Sequence, residues 1–455
     1  MQIPPQLIQS LQGIKGFDEN AFKEVHANPA SITSIRFNKN KVSSEGIFNE
    51  DIIEEKIPWC ETGYYLKHRP SFTFDPLFHA GCYYVQEASS MFLEQALCQT
   101  ADLTQPLKVL DLCAAPGGKS THLQSLLSKN SLLVSNEVIR SRANVLKDNI
   151  IKWGSNNVIV TNNDPRDFAK LKSWFDVMVI DAPCSGSGLF RRDEDAINEW
   201  SENNVALCCQ RQQRILADAL PSLKQNGILV YSTCSYSPTE NEEIVDWLCA
   251  AFGFESLPLQ LKPDWNITEV QTGNNNFGYR FWPHLVKGEG FFISVFRKNR
   301  NDGTVKTSKT KTKPLGKNET TALTKWLKPG PYQFVQFGET VYAWPDNLFN
   351  DFDFLAQQLK VSYSGTAVGE LVRDKLIPDH ALAMNPQLLS GDVRKFELDE
   401  GRAIAYLQRK DIPGNGTQTG WQLATFKSHP LGWMNVLPNR VNNYYPKELR
   451  ILKER

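Results

Sequence analysis

A doubly wound α/β domain is predicted for the middle of this 455-residue chain, from about Val109 to Arg297, and three observations predict it. Five short runs, KVLDLC, SLLVSNE, NVIVTNND, FDVMVIDAPC and GILVYSTCS, are almost continuously apolar and end in polar or small residues. Longer stretches of helical spacing separate them: THLQSLLSK, RSRANVLKDNIIKWG, DFAKLKSW and NNVALCCQRQQRILADALPSLK. Acidic, glycine and cysteine residues gather just after the runs. Strands without a polar face must be covered on both sides, so they pair in parallel between layers of helix. In such sheets ligands bind beyond the carboxyl ends of the strands.

The first run leads into DLCAAPGGKS, Asp111 to Ser120, which opens a helix. Small residues and paired glycines at that junction let backbone N–H groups approach a ligand at a helix N-terminus. The pattern is neither GxGxxG nor a P-loop. Glu137 ends the second run, where an acid in nucleotide-binding α/β folds accepts ribose hydroxyls. Asp164 ends the third, placed to contact an adenine amino group. Strand-end acids often do no more than cap helices. Asp111, Glu137 and Asp164 at successive strand ends beside a glycine turn instead point to a nucleoside cofactor without phosphate, which acids would repel. The cofactor site is therefore expected to comprise Cys113, Ala114, Ala115, Pro116, Gly117, Gly118 and Lys119 with Glu137, Asp164 and Asp181. Cys113 is expected mainly to pack, and Lys119 to orient the loop, face nucleic acid or stand as a solvated charge.

The fourth and fifth runs end in DAPCSGSG, Asp181 to Gly188, and STCSYSPTENEE, Ser232 to Glu243. Each places a cysteine, Cys184 or Cys234, on a Gly/Ser/Pro-rich loop at the ligand edge of the sheet. Of the nine cysteines, Cys60, Cys82, Cys98, Cys208, Cys209 and Cys249 are expected to be buried and structural. With no CxxC pair or Cys/His ladder, free thiols in a reducing cytoplasm are expected, and no metal.

The flanks differ in character. Residues 1–100 form a mixed α+β segment with an aromatic cluster, FTFDPLFHAGCYYVQEASSMFLEQAL. Residues 101–298 hold the α/β domain and 299–320 a basic linker. Across 297–317 there are eight Lys/Arg against one Asp, which reads as a solvated spacer or a flexible basic arm. Residues 321–455 mix β-like runs, YQFVQF, TVYAWP and RAIAYLQR, with Gly and Pro turns, and predict a mainly β appendage. With 50 Lys+Arg against 50 Asp+Glu, net charge supplies no attraction for a polyanion, and any such surface must come from local clustering. The start, MQIPPQLIQSLQG, lacks the basic and apolar regions of a signal peptide, and no stretch reaches bilayer-spanning length. A cytoplasmic protein with no membrane partner is expected.

LDLCAAPGGKS, NE, ND, IDAPCSGSG and YSTCSYSPTENE, in this order, resemble the motifs of the Nol/Nop/Sun family of RNA cytosine methyltransferases, across roughly residues 30 to 300. YYVQEASSMFLEQAL resembles the segment before the catalytic domain in that family. GWQLATFKSHPLGWMNVL resembles, more loosely, the PUA-like RNA-binding domain of its bacterial RsmF-type members. The resemblance implies a Rossmann-like methyltransferase domain, S-adenosyl-L-methionine as cofactor, and methylation of cytosine carbon 5 in RNA, with 16S ribosomal RNA or the small subunit as target and a monomeric enzyme. It implies Cys234, in the TC motif, as nucleophile and Cys184, in the PC motif, as the residue that assists release. Chemistry agrees, because carbon 5 of cytosine is a poor nucleophile until a thiolate adds to carbon 6. Where the family has R-x-D-P-D after the PC turn this chain reads RRDED, with Glu194 in place of proline. Transfer RNA as substrate, and an RNA-binding ribosome-assembly factor with little activity, stay open as readings. Cys184, Cys234 and the strand-end acids argue against the second.

Overall fold

A computed structural model describes residues 3–28, 32–42, 51–306, 309–373, 375–413 and 418–454. The N-terminal segment places two helices, Pro5–Leu11 and Glu19–Ala27, before a four-stranded antiparallel sheet. Its strands are β1 (Thr33–Phe37), β2 (Ile53–Lys56), β3 (Gly63–Leu66) and β4 (Tyr83–Val85), in the order β2-β3-β1-β4. Of the aromatic cluster, Phe72, Tyr83 and Phe92 are buried. They build the core and leave Tyr84 at the edge of the site.

The five apolar runs become β5 (Lys108–Asp111), β6 (Leu132–Asn136), β7 (Val158–Thr161), β8 (Phe175–Asp181) and β9 (Leu223–Thr233). They pair in parallel in the order β7-β6-β5-β8-β9. The winding reverses between β5 and β8, and there the carboxyl ends of the strands open a crevice. Further strands extend the parallel core in antiparallel fashion: β10 (Phe254–Ser256), β11 (Thr268–Gln271), β12 (Phe277–Phe281) and β13 (Phe291–Lys298) beside β9. At the opposite edge Val361–Ser364, from the C-terminal region, pairs with β7. Helices Gly118–Leu126, Arg140–Trp153, Glu202–Ala219 and Glu242–Phe252 cover the sheet. DFAKLKSW, expected to be helical, forms a short 3-10 turn, Pro165–Lys170, with Asp164 capping it through the Arg166 N–H at 3.1 Å.

The C-terminal region holds two four-stranded sheets, 332–378 and 395–443, with helices between their strands. RAIAYLQR, expected to be β-like, is helical through Leu407, within the helix Glu400–Leu407. Asp399 caps that helix by accepting the Arg402 N–H at 2.9 Å, and Ala403, Ile404, Tyr406 and Leu407 bury one face, a helical spacing that overrides β propensity. The basic stretch has no regular structure among the described residues from 299 to 316, and 307–308 lie outside them. It is not a loose arm along its whole length. Lys298 is buried against Leu220 O and Leu223 O, and the Asp353 carboxylate accepts the Lys311 and Thr312 N–H groups at 3.2 and 2.8 Å. The side chains of Lys309, Lys311 and Lys313 point outward.

Arg36 joins the N-terminal sheet to the cofactor end of the α/β domain. It is fully buried, donates to Gln86 Oε1 at 2.9 Å and Thr121 Oγ1 at 2.7 Å, and lies 4.6 Å from the Trp153 ring centroid. The turn after Trp153 is Gly154, at φ 83°, where a Cβ would stand 2.2 Å from Met384 O of the C-terminal region. Only glycine fits there. Of the six cysteines expected to be buried, Cys60, Cys82 and Cys208 are, whereas Cys98 is exposed and Cys209 and Cys249 are half-buried. Cys98 ends the helix Leu93–Cys98 on the side away from the core. Among the described residues no helix is long and apolar enough to cross a membrane.

Candidate active site

The turn after β5 is built by backbone pairing on both sides. Leu112 donates to Val179 O at 3.0 Å and Ala114 to Asn136 O at 2.8 Å. The Ala115–Pro116 bond is cis, and Gly117 takes φ 113° to start the helix Gly118–Leu126. The side chains of Arg142 and Asn149 hold the Ala115 and Pro116 carbonyls, each at 2.9 Å. Asp111 differs from expectation. It is wholly buried, with Oδ2 accepting the Ser120 hydroxyl at 2.6 Å, so this carboxyl fastens the helix start and faces no solvent. Burial pushes its pKa up to about 7, against the pull of Ser120 and Lys119.

Glu137, at the end of β6, is buried; Oε1 accepts the Ile139 N–H at 2.9 Å, and Oε2 lies 3.6 Å from Arg142. Asp164 both caps its turn and keeps part of its carboxylate exposed. At the crevice between β5 and β8, Lys119 forms an ion pair with Asp181 at 2.7 Å, and the Ser232 hydroxyl donates to the other Asp181 oxygen at 2.8 Å. The Lys119 ammonium also lies 5.2 Å from the Phe291 ring centroid. Of the roles left open for Lys119, the solvated charge is excluded.

A cleft of about 300 Å³ opens here. Cys113, Ala114, Ala115, Pro116, Gly118, Lys119, Asp181 and Cys234 form one wall; Tyr84, Gln86, Glu87, Arg192, Glu289 and Phe291 form the other. Part of the second wall falls in stretches that the family resemblance covers, YYVQEASSMFLEQAL and RRDED, but the sequence does not show that they face this cleft. The wall comes from the N-terminal segment, the RRDED loop, and the start of β13 with the loop before it, and no local pattern joins residues so far apart. Glu137, Asp164 and Gly117 lie outside this lining.

The two cysteines meet beneath the cleft. Their sulfurs are 3.0 Å apart, both half-buried, on loops leaving the adjacent parallel strands β8 and β9. The hydrogen bond to Cys234, followed by burial, pushes the Cys184 thiol well above its usual pKa, so Cys184 stays protonated. Gly188 donates to Cys234 O at 2.8 Å, and a Cβ on Gly188 would stand 2.7 Å from that oxygen. Tyr236, two residues after Cys234, stacks on Trp282 with ring centroids 5.7 Å apart. Arg280 donates to Tyr236 O at 2.8 Å while paired with Glu242 at 2.6 Å.

A separate buried cluster, Cys60, Glu94 and His122, links the N-terminal segment to the helix Gly118–Leu126. Glu94 Oε2 lies 3.0 Å from His122 Nε2 and accepts the Cys60 thiol at 3.3 Å. Burial pushes the Glu94 carboxyl up, but hydrogen bonds from His122, the Glu61 N–H at 2.9 Å and the Cys60 thiol hold it below the usual carboxylate range.

A nucleoside that carries no phosphate fits the cofactor end. Its turn brings backbone within reach, Glu137 keeps an oxygen without a close hydrogen bond among the described residues, and the strand ends carry carboxylates. A doubly wound sheet with this turn, and with paired cysteines on the loops after the neighbouring strands β8 and β9, points to the class of S-adenosylmethionine-dependent methyltransferases. Residues 99–297 match the model of the 16S rRNA methyltransferase RsmB/F family, residues 3–88 that of the N-terminal domain of RsmF, and residues 393–451 that of the RsmF PUA domain. The chain belongs to the RsmB/F family, and it is an RNA cytosine-5 methyltransferase.

Among its relatives is the ribosomal RNA small subunit methyltransferase F of Aeromonas salmonicida, 31% identical over 87% of this chain and 85% of the other. The protein of the same name in Serratia proteamaculans is 28% identical over 98% of this chain and 96% of its own length. A solved methyltransferase homolog from Pyrococcus horikoshii is 28% identical, with TM-score 0.53 over 65% of this chain and all of the other. NSun6 from the same organism, solved with SFG, shares the fold at TM-score 0.54 and 20% identity over 66% of this chain and 99% of its own.

Proposed function

We propose that the chain methylates carbon 5 of a cytosine in small-subunit ribosomal RNA, with Cys234 as nucleophile and Cys184 assisting release. The observation that carries this reading is the 3.0 Å approach of the two sulfurs beside the cleft where Lys119 and Asp181 pair. The name that the relatives bear and the match to a PUA domain support the target.

The Cys234 thiolate adds to carbon 6, forming a C–S bond and turning the ring into an enamine that is nucleophilic at carbon 5. Bound S-adenosylmethionine supplies the methyl group. Glu137 would accept the cofactor's ribose hydroxyls, Asp164 would contact its adenine, and the Cys113–Lys119 turn with Asp181 would hold the remainder. A water molecule takes the carbon 5 proton; the electrons of that C–H bond re-form the ring double bond, the C–S bond breaks, and its electrons leave with the Cys234 sulfur, which the Cys184 thiol beside it receives by donating a hydrogen bond. The Lys119–Asp181 pair faces the same cleft and orients the base edge. A cytosine stacked in a duplex must swing out to reach Cys234, which favours loops and exposed bases.

The proposed units are 1–100 for RNA contact, 101–298 for catalysis, 299–320 as basic linker and 321–455 as a second RNA-contacting region. The enzyme is proposed to work as a cytoplasmic monomer. Bisulfite sequencing of ribosomal and transfer RNA from cells with and without the gene tests the target. A small-subunit cytosine that loses its protection is the expected result; loss confined to a transfer RNA would redirect the reading.

A further inference from the structure

We propose that Glu240 is the positioning residue that fixes the two cysteines relative to each other, and that release of the methylated base depends on it; this rests on the roles proposed above for Cys184 and Cys234. Glu240 lies in TENEE, six residues after Cys234 on the same loop but far from Cys184 in sequence, and is wholly buried. Four donors converge on its carboxylate. Oε1 accepts the Ser185 N–H at 2.8 Å and Gln212 Nε2 at 3.1 Å; Oε2 accepts the Ser185 hydroxyl at 2.5 Å and the Ser235 hydroxyl at 2.6 Å.

Each serine directly follows one of the cysteines. One carboxylate therefore holds the loop that carries Cys184 and the loop that carries Cys234, and neither can shift without drawing on the other. The brace is itself anchored. Tyr231 of β9 donates to Glu240 O at 2.7 Å, and Gln212 reaches in from the helix Glu202–Ala219 while also donating to Pro183 O at 3.1 Å.

An ionised carboxylate is acceptor-only, with two oxygens and about four lone-pair sites, enough for all four donors. Glutamine has the same shape but replaces one acceptor oxygen with a donor NH₂ group. It cannot satisfy all four donors, so at least one bond to the cysteine loops is lost. Elimination is the step most exposed to this. It requires the Cys184 thiol to sit against the departing Cys234 sulfur, whereas addition to carbon 6 needs Cys234 and the base alone. Misplacement of a reacting group by about 1 Å costs on the order of 100-fold.

The test compares wild type, E240Q and C184A on RNA with S-adenosylmethionine. For E240Q the expected result is a kcat about 10- to 100-fold lower, KM for RNA and cofactor affinity within about twofold of wild type, and a protein–RNA adduct that survives denaturation. A residue that served only stability would lower the melting temperature without trapping RNA. Adduct from C184A but none from E240Q overturns the positioning role alone. No adduct from C184A overturns the reading of the two cysteines on which it rests. Should E240Q fail to fold, the S185A/S235A double variant keeps the carboxylate and removes one hydroxyl from each loop. It is expected to trap adduct as well, and wild-type turnover in that variant would overturn the proposal.

Discussion

The sulfurs of Cys184 and Cys234 lie 3.0 Å apart although fifty positions separate them in the chain. They meet because β8 and β9 are neighbouring parallel strands whose registers bring Asp181 opposite Ser232, so the loops that follow leave the sheet side by side. A thiol that remains protonated next to a sulfur that must alternately attack and leave is a division of labour, and it can be tested by removing each partner.

Cys234→Ala should lose methylation outright and form no covalent complex with RNA. Cys184→Ala should still attack and methylate, then fail to release, and so accumulate an adduct seen as a shifted band in a denaturing gel. Addition precedes proton loss, so a defect in the later step traps the earlier product. The reverse pattern would exchange the two roles.

Removing the Glu137 carboxylate should weaken S-adenosylmethionine binding by about 1–3 kcal/mol, the range for hydrogen bonds to a charged group and for a partner left unsatisfied. Calorimetry of Glu137→Ala decides it. Unchanged affinity would remove Glu137 from the cofactor site.

Replacing Lys309, Lys311 and Lys313 with Gln should flatten the dependence of RNA affinity on salt. Every phosphate that a lysine ceases to neutralise lowers the slope of log affinity against log salt by roughly 0.7–0.9. Because Asp353 holds this stretch through backbone N–H groups at Lys311 and Thr312, the substitutions leave its path intact. An unaltered slope would make it a spacer.

Acid should destabilise the protein in a defined window. His26 and His122 are fully buried, and desolvation is the main cause that lowers each pKa from 6.5 to about 4. The unfolded chain takes up these protons below pH 6.5, the folded one only near 4. Their contribution is therefore complete above pH 6.5 and falls away between 6.5 and 4, by up to about 3 kcal/mol for each residue. Asp111, whose folded pKa is raised to about 7, acts in the opposite direction and offsets part of the loss. Urea midpoints across that range check it, and the slope should lessen in His122→Asn. A wild-type midpoint that stays flat from pH 7 to 4 would contradict it.

The parallel core is legible in the sequence because each strand is a nearly unbroken apolar run, and Cys184, Cys234 and the glycine turn fall at its ligand edge for the same reason. What the sequence hides depends on distance along the chain. The role of Glu240 rests on Ser185, fifty-five positions earlier, and the opposing wall of the cleft on Tyr84 and Glu289. Asp111 looks from its position like a ligand-facing acid, yet the Ser120 hydroxyl takes its place at the helix start. RAIAYLQR passes for a strand because alternation and helical spacing overlap in so short a run, and the deciding feature, the Asp399 cap, lies outside it.

The pairing of Val361–Ser364 with β7 gives the chain a timetable. Lys360 and Asn163, which hydrogen-bond beside that seam, are 197 positions apart. At roughly 5–20 residues per second a ribosome needs about 10–40 s to cover the interval. Throughout it one edge of β7, reading VIVT, lacks its partner strand, with the β-branched composition and open backbone groups that invite pairing with another chain. The long wait makes this rim the place where a nascent chain gains most from being shielded until its own partner emerges.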